Sequence, residues 1–168
     1  QLAYVAALAA RAGHEVVVST GELMDADVAI LLSSLVDHRH EARWAEAMRA
    51  RGARVGVVGL TASKLPELFE DSADFIVAGE PEHAIARLVA GEDLRGRVTS
   101  PEVADLDSLP FPKWDVFLEH RRRFRLPLAG RPAGGAFPLL ASRSCPEFCT
   151  YCPHRILANH RSRSIPNL

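Results

Sequence analysis

Four short runs dense in aliphatic and β-branched residues, HEVVVST, DVAILLSS, RVGVVGL and DFIVAGE, punctuate residues 1–92. Helical patterns separate them. LAYVAALAARAG puts Leu2, Val5, Ala6, Ala9 and Ala12 on one face and stops at Gly13, a residue suited to the left-handed position after a helix. HRHEARWAEAMRARG sets Trp44 and Met48 one turn apart and stops at Gly52. A short helix is expected near Pro66, and PEHAIARLVAG carries Pro81 in its first turn and Gly91 past its end. Strands without polar alternation are usually buried on both faces, which demands a parallel sheet with helices on either side. The expected fold is therefore α/β, a Rossmann-like (flavodoxin-like) parallel sheet wound by right-handed crossovers.

The pattern opens on a helix at Gln1 and closes on RSRSIPNL without a further element, so the chain reads as a piece of something longer. In the flavodoxin-like order the strand before the first helix is central. Without it, the sheet is expected to hold an open slot.

Beyond residue 92 the period is lost. Residues 93–135 read as a linker, with DLDSLPFPKWDVF expected to pack through Phe111, Trp114 and Phe117. The basic stretch Arg121–Arg123 with Arg125 reads as a solvated face. Residues 136–168 then begin a second unit, in which GGAFPLLASRSC supplies one apolar strand running straight into a cysteine cluster.

That cluster holds all three cysteines of the 168-residue chain, spaced as Cys145-x3-Cys149-x2-Cys152. Three chemistries suit it. A structural zinc site needs a fourth ligand, which His154 or His160 would supply. A thiol–disulfide pair needs only Cys149 and Cys152, in CTYCP, and leaves Cys145 idle. An iron–sulfur cluster on three cysteines keeps one iron open to chelate a small molecule. An odd, clustered set suits neither a secreted disulfide framework nor its compartment, so a reducing cytoplasm is expected. The net charge of −1 argues against nucleic-acid binding, and no apolar run reaches the roughly 18–20 residues of a membrane span.

The cysteine spacing, with aromatic Tyr151 just before the last cysteine and a strand just before the first, resembles the signature of radical S-adenosylmethionine enzymes. The upstream residues resemble that superfamily's cobalamin-binding branch. Ser33-Ser34-Leu35 is similar to its Ser-x-Leu. Gly59 stands where a Gly-Gly pair is common, with Leu60 as the second residue here. Gly79-Glu80-Pro81-Glu82 is similar to its Gly-Glu-x-Glu turn, and Asp105 to Pro112 to its linker.

The resemblance implies a 4Fe–4S cluster on Cys145, Cys149 and Cys152, at the start of a (β/α) barrel, with S-adenosylmethionine on the open iron and Tyr151 against its adenine. It implies cobalamin along Ser33, Leu35, Gly59, Gly79 and Glu80, at the carboxyl ends of the strands, where open α/β sheets take their ligands. Reductive cleavage of the sulfonium would start chemistry at an unactivated carbon of a small, natural-product-like substrate, with methyl transfer, or else cyclisation or another rearrangement, as the expected outcome and flavodoxin or ferredoxin as electron donor. Residues 1–168 alone are expected to be inactive, because one strand cannot close a barrel. His38 and His40, beside a helix start, are more ordinary as surface residues than as cobalt ligands. Carboxylates in a first helical turn, such as Glu82, also complement the helix dipole without any other role. Two other classes fit the residues: a non-enzymatic α/β binding or signalling domain with a zinc knuckle, and a thiol oxidoreductase.

Overall fold

The computed structural model describes residues 1–117, 139–147, 149–152 and 159–168. The basic stretch Arg121–Arg125, residues 134–138 of the expected strand and His154 lie outside the described residues.

Four parallel strands form the centre: β1 (Val28–Leu32), β2 (Arg54–Val58), β3 (Phe75–Gly79) and β4 (Gly96–Ser100), hydrogen-bonded in that order. The register runs Val28 opposite Arg54 and Phe75 opposite Gly96. Helices α1 (Leu2–Arg11) and α4 (Pro81–Val89) cover one face, and α2 (His38–Ala50) and α3 (Leu60–Lys64) the other. The period of two along each strand decides which residue meets which layer. Val58, Phe75, Val77 and Val98 pack with Ala84 and Leu94 on the α4 side. Val55 meets Ala45 and Met48, whereas Val57 and Ile76 meet Ala62 and Phe69. The α/β class and the parallel sheet expected from the apolar runs are what the chain adopts.

Three local expectations are corrected. The run HEVVVST joins no ladder, and Val17 is exposed. A β-branched run needs a neighbouring strand to pair with, and among the described residues β1 is hydrogen-bonded on one side only. The open slot expected inside the sheet is not found among the described residues: β1 is the border of the sheet, with no strand across from it. Local bonds hold the following turn instead: the Glu22 carboxylate accepts from the Thr20 amide at 2.8 Å and from Ser19 Oγ at 3.1 Å. Its own amide, the Thr20 amide and the hydroxyls around it lower that carboxyl to about 2.

The second correction is that residues 96–100, assigned to the linker, form β4. Only Val98 and Ser100 of GRVTS point inward, so the strand has the composition of a loop. Its exposed Arg97 reaches Glu70 at 2.5 Å, and a charged residue of this kind blunts a sheet edge. The linker therefore begins after β4, where Val103 and Leu106 are buried. Trp114 and Phe117 meet edge to face at 5.9 Å, but Phe111 is exposed.

Third, of the strand expected before the cysteines, the described part is short. Ser142–Arg143 (β5) pairs antiparallel with Arg161–Ser162 (β6), in a separate two-stranded ribbon. Helix α1 accounts for how this ribbon attaches. Residues Ala3 to Leu8 are all buried, more than one amphipathic face allows. α4 takes one side. On the other, the Lys113 amide donates to Ala3 O at 2.9 Å, and the Arg143 and Arg163 guanidiniums lie 5.2 and 5.5 Å from the Tyr4 ring.

Candidate functional site

The carboxyl ends of β1, β2 and β3 form one edge. Ser33, just past β1, is buried and fully engaged. Its hydroxyl donates to Val58 O at 2.9 Å and accepts from the Ala62 amide at 2.9 Å, so one side chain ties β1, β2 and α3 together. The Ser34 amide donates to both oxygens of Glu41 at 3.0 and 2.9 Å, which ties the turn after β1 to the first turn of α2. With the backbone of this turn held, Leu35 is turned to solvent. Gly59 has φ +111 and ψ −175, a region open essentially to glycine alone. It turns the chain from β2 into α3, beside exposed Leu60. Ser63 was not singled out from the sequence. Its hydroxyl donates to Gly59 O at 2.7 Å and accepts from the Gly79 amide at 3.0 Å, bridging two of the expected ligand-side glycines. Leu32, Leu35, Val36 and Leu60 leave an apolar rim on this edge, with Val36 97% exposed.

Glu80 leaves this edge in another direction. It accepts from Arg161 Nη2 at 2.6 Å and Nη1 at 2.9 Å, a two-pronged pair, and from the Val103 amide at 2.8 Å. Arg143 Nη1 lies 3.0 Å from Glu80 Oε2, a charge contact without hydrogen-bond geometry, and Arg143 Nη2 donates to Glu82 Oε1 at 2.6 Å. Glu82 Oε2 has no partner among the described residues, although the side chain is 2% exposed. Glu102 adds a longer contact to Arg161 at 3.9 Å. The carboxylates of Gly79-Glu80-Pro81-Glu82 therefore face the two arginines of the ribbon. His38 Nδ1 lies 2.8 Å from Leu35 O within its own turn, and His40 is exposed.

The ribbon is the root of the cysteine loop. Arg143 stands two residues before Cys145, and Ser144 between them has φ 62, uncommon for a residue with a side chain. All three thiols are free of disulfide; Cys145 is exposed, Cys149 and Cys152 half-buried. The Cys152 amide donates to Cys149 O at 3.2 Å, so CTYC is a tight turn. Tyr151 stands on it with its ring in solvent, 88% exposed. Among the described residues no three metal-ligating side chains converge. The donor set itself, three unoxidised thiols on one loop beside an exposed aromatic, suits a thiophilic metal centre.

Burial alone would raise the Glu80 carboxyl. The Arg161 hydrogen bonds, the Val103 amide and the charges of Arg143 and Arg161 outweigh it and hold the group below the usual carboxylate range. A carboxyl whose pKa is depressed on folding contributes stability above its unfolded value, about 4.3, and loses it as pH falls through the folded value. Attachment of the ribbon is therefore expected to be constant through neutral pH and to weaken below about pH 4. Hydrogen exchange of residues 161–163 against pH, in the protein and in Glu80→Gln, measures this; a variant with the same acid profile as the parent would refute it.

Arg161, Arg163 and Tyr4 were also missed from sequence. One signal was present: Ser-Arg-Ser occurs at 142–144 and again at 162–164, flanking the cysteines on both sides. Among the described residues no helix is long and apolar enough to cross a membrane. No family model, no curated protein and no solved structure matches the chain.

Proposed function

We propose that this chain carries the cobalamin-binding sheet and the cluster loop of a radical S-adenosylmethionine enzyme. The observation that supports this best is that the loop holding the chain's three thiols is rooted, through Arg143 and Arg161, at the carboxyl edge of a parallel sheet, the edge on which open α/β sheets take ligands. Cys145, Cys149 and Cys152 would hold a 4Fe–4S cluster with one iron open to S-adenosylmethionine. When bound, the pair supplies reductive cleavage of a sulfonium, the source of a carbon radical.

The residues of the chain bind and orient. Tyr151, exposed on the CTYC turn, offers a ring face to an adenine. Leu35, Gly59 and Leu60 offer apolar surface and close backbone approach to the corrin of cobalamin, on a rim kept rigid by Ser33 and Ser63. Glu80 bonds to the ribbon and so acts on the seat of the loop. A small, natural-product-like substrate, methyl transfer to it, and a flavodoxin or ferredoxin as reductant complete the proposal, with the cytoplasm as its compartment.

Anaerobic reconstitution with ferrous iron and sulfide tests the reading. The expected result is about four irons per chain with broad visible absorption. Stoichiometric zinc in its place, or no bound metal, would overturn it.

A further inference from the structure

The ribbon β5–β6 should not form by itself. It has two residues in each strand and two paired positions, well short of what keeps a two-stranded unit folded in water. Its register also sets Arg143 directly opposite Arg161, and like charges facing across an antiparallel pair repel. What reverses the balance lies in the sheet domain. Glu80 contacts both guanidiniums and Glu82 contacts one, so two positive and two negative side chains, all largely buried, cancel at one point.

We infer that Arg143 and Arg161, with Glu80 and Glu82 as their counter-charges, are positioning residues that close the cysteine loop against the carboxyl edge of the sheet. Residues 144–160 run between the two arginines, so fixing 143 against 161 joins the ends of the segment that carries Cys145, Cys149 and Cys152. A closed loop has already lost the chain entropy that three thiols must otherwise give up when they meet on one centre.

The acceptor is held in place before the arginines arrive. Ser100 Oγ donates to Glu80 O and accepts from the Ala84 amide at 3.2 Å, and the Val103 amide orients the Glu80 carboxylate. The exit arm has its own anchors: the Arg163 amide donates to Ala141 O at 2.8 Å, its guanidinium to Tyr4 Oη at 3.2 Å, and the Ser164 amide to Asp107 at 3.1 Å. The consequence for metal uptake rests on the proposed role of the cysteines. The closure rests on the ribbon alone.

The test is a double-substitution cycle on the whole chain with Glu80→Gln, Arg161→Met and the two combined. Two quantities are read: hydrogen exchange of residues 142–144 and 161–164, and anaerobic uptake of ferrous iron with sulfide at limiting iron. Each single change is expected to speed exchange in the ribbon and weaken iron uptake by about tenfold, and the double change to do little more, because the pair acts as one unit. Exchange in β2 and β3 should stay at the parent rate, which separates release of the ribbon from unfolding of the sheet. Parent-like ribbon protection in Glu80→Gln would overturn the inference, as would single effects that simply add. If the parent protein takes up no iron, the cluster reading falls and the exchange cycle decides alone: coupled loss of protection upholds the closure, and unchanged protection overturns it.

Discussion

Cys145→Ala is expected to cut iron bound after anaerobic reconstitution by about tenfold or more, to the level of a protein lacking all three cysteines. Cys145 decides between the chemistries open to this loop. Cys149 and Cys152 share a tight turn through the Cys152 amide and Cys149 O, and a thiol–disulfide reaction would need no more than those two. Cys145 lies apart from that turn, exposed, just past the left-handed Ser144. A cluster on three thiolates cannot spare one, because a two-ligand cube leaves two irons to water and falls apart. The measurement is iron and sulfide per chain, with thiol-exchange activity assayed in parallel. Retained exchange activity in Cys145→Ala, combined with its loss in Cys149→Ala, would give the loop to redox chemistry. Zinc held by the parent protein and lost on the same substitution would give it to a knuckle.

Gly79→Ala is expected to destabilise the sheet by about 2–6 kcal/mol, combining backbone strain of roughly 1–3 kcal/mol with an overpacking cost of similar size. Gly79 has φ +112, and a Cβ there would stand 2.0 Å from the Ser100 carbonyl oxygen. That oxygen is main chain of β4, paired with β3 through Gly79 and Ser100, so it cannot swing aside as a side-chain tip would. Relief requires the end of β3 to separate from β4, which moves Glu80 off the line that reaches Arg161. The loss is a large share of the 5–15 kcal/mol that keeps an ordinary domain folded. Chemical denaturation of the two proteins measures it. A midpoint shift equivalent to less than about 1 kcal/mol would show that this corner relaxes freely.

The parts of this structure legible in the sequence are those with a local signature. The apolar runs around Ala29, Val57 and Ile76 and the helix over Ala45 and Met48 announce themselves because each buries a face with its own period. HEVVVST carries the same local signal and forms no strand, since a ladder also needs a neighbour that the run itself cannot describe. β4 fails the other way: Arg97 and Thr99 give it the polarity of a loop, and only its place beside β3 makes it a strand. The charged residues were least legible. Glu80 and Arg161 lie 81 positions apart, Glu82 and Arg143 61. In a linear reading Glu80 and Glu82 stand out as a turn at a strand end, but nothing in it says which arginines they meet. Pairing across such distances has no period.

Because β4 lies past residue 92 and the buried Val103 and Leu106 follow it, anyone excising the sheet unit for expression should cut no earlier than Ser108. A version ending at residue 92 would strip β3 of its outer neighbour and leave Phe75 to Gly79 as a raw border, prone to recruit other chains. The longer version keeps Arg97 as that border's guard.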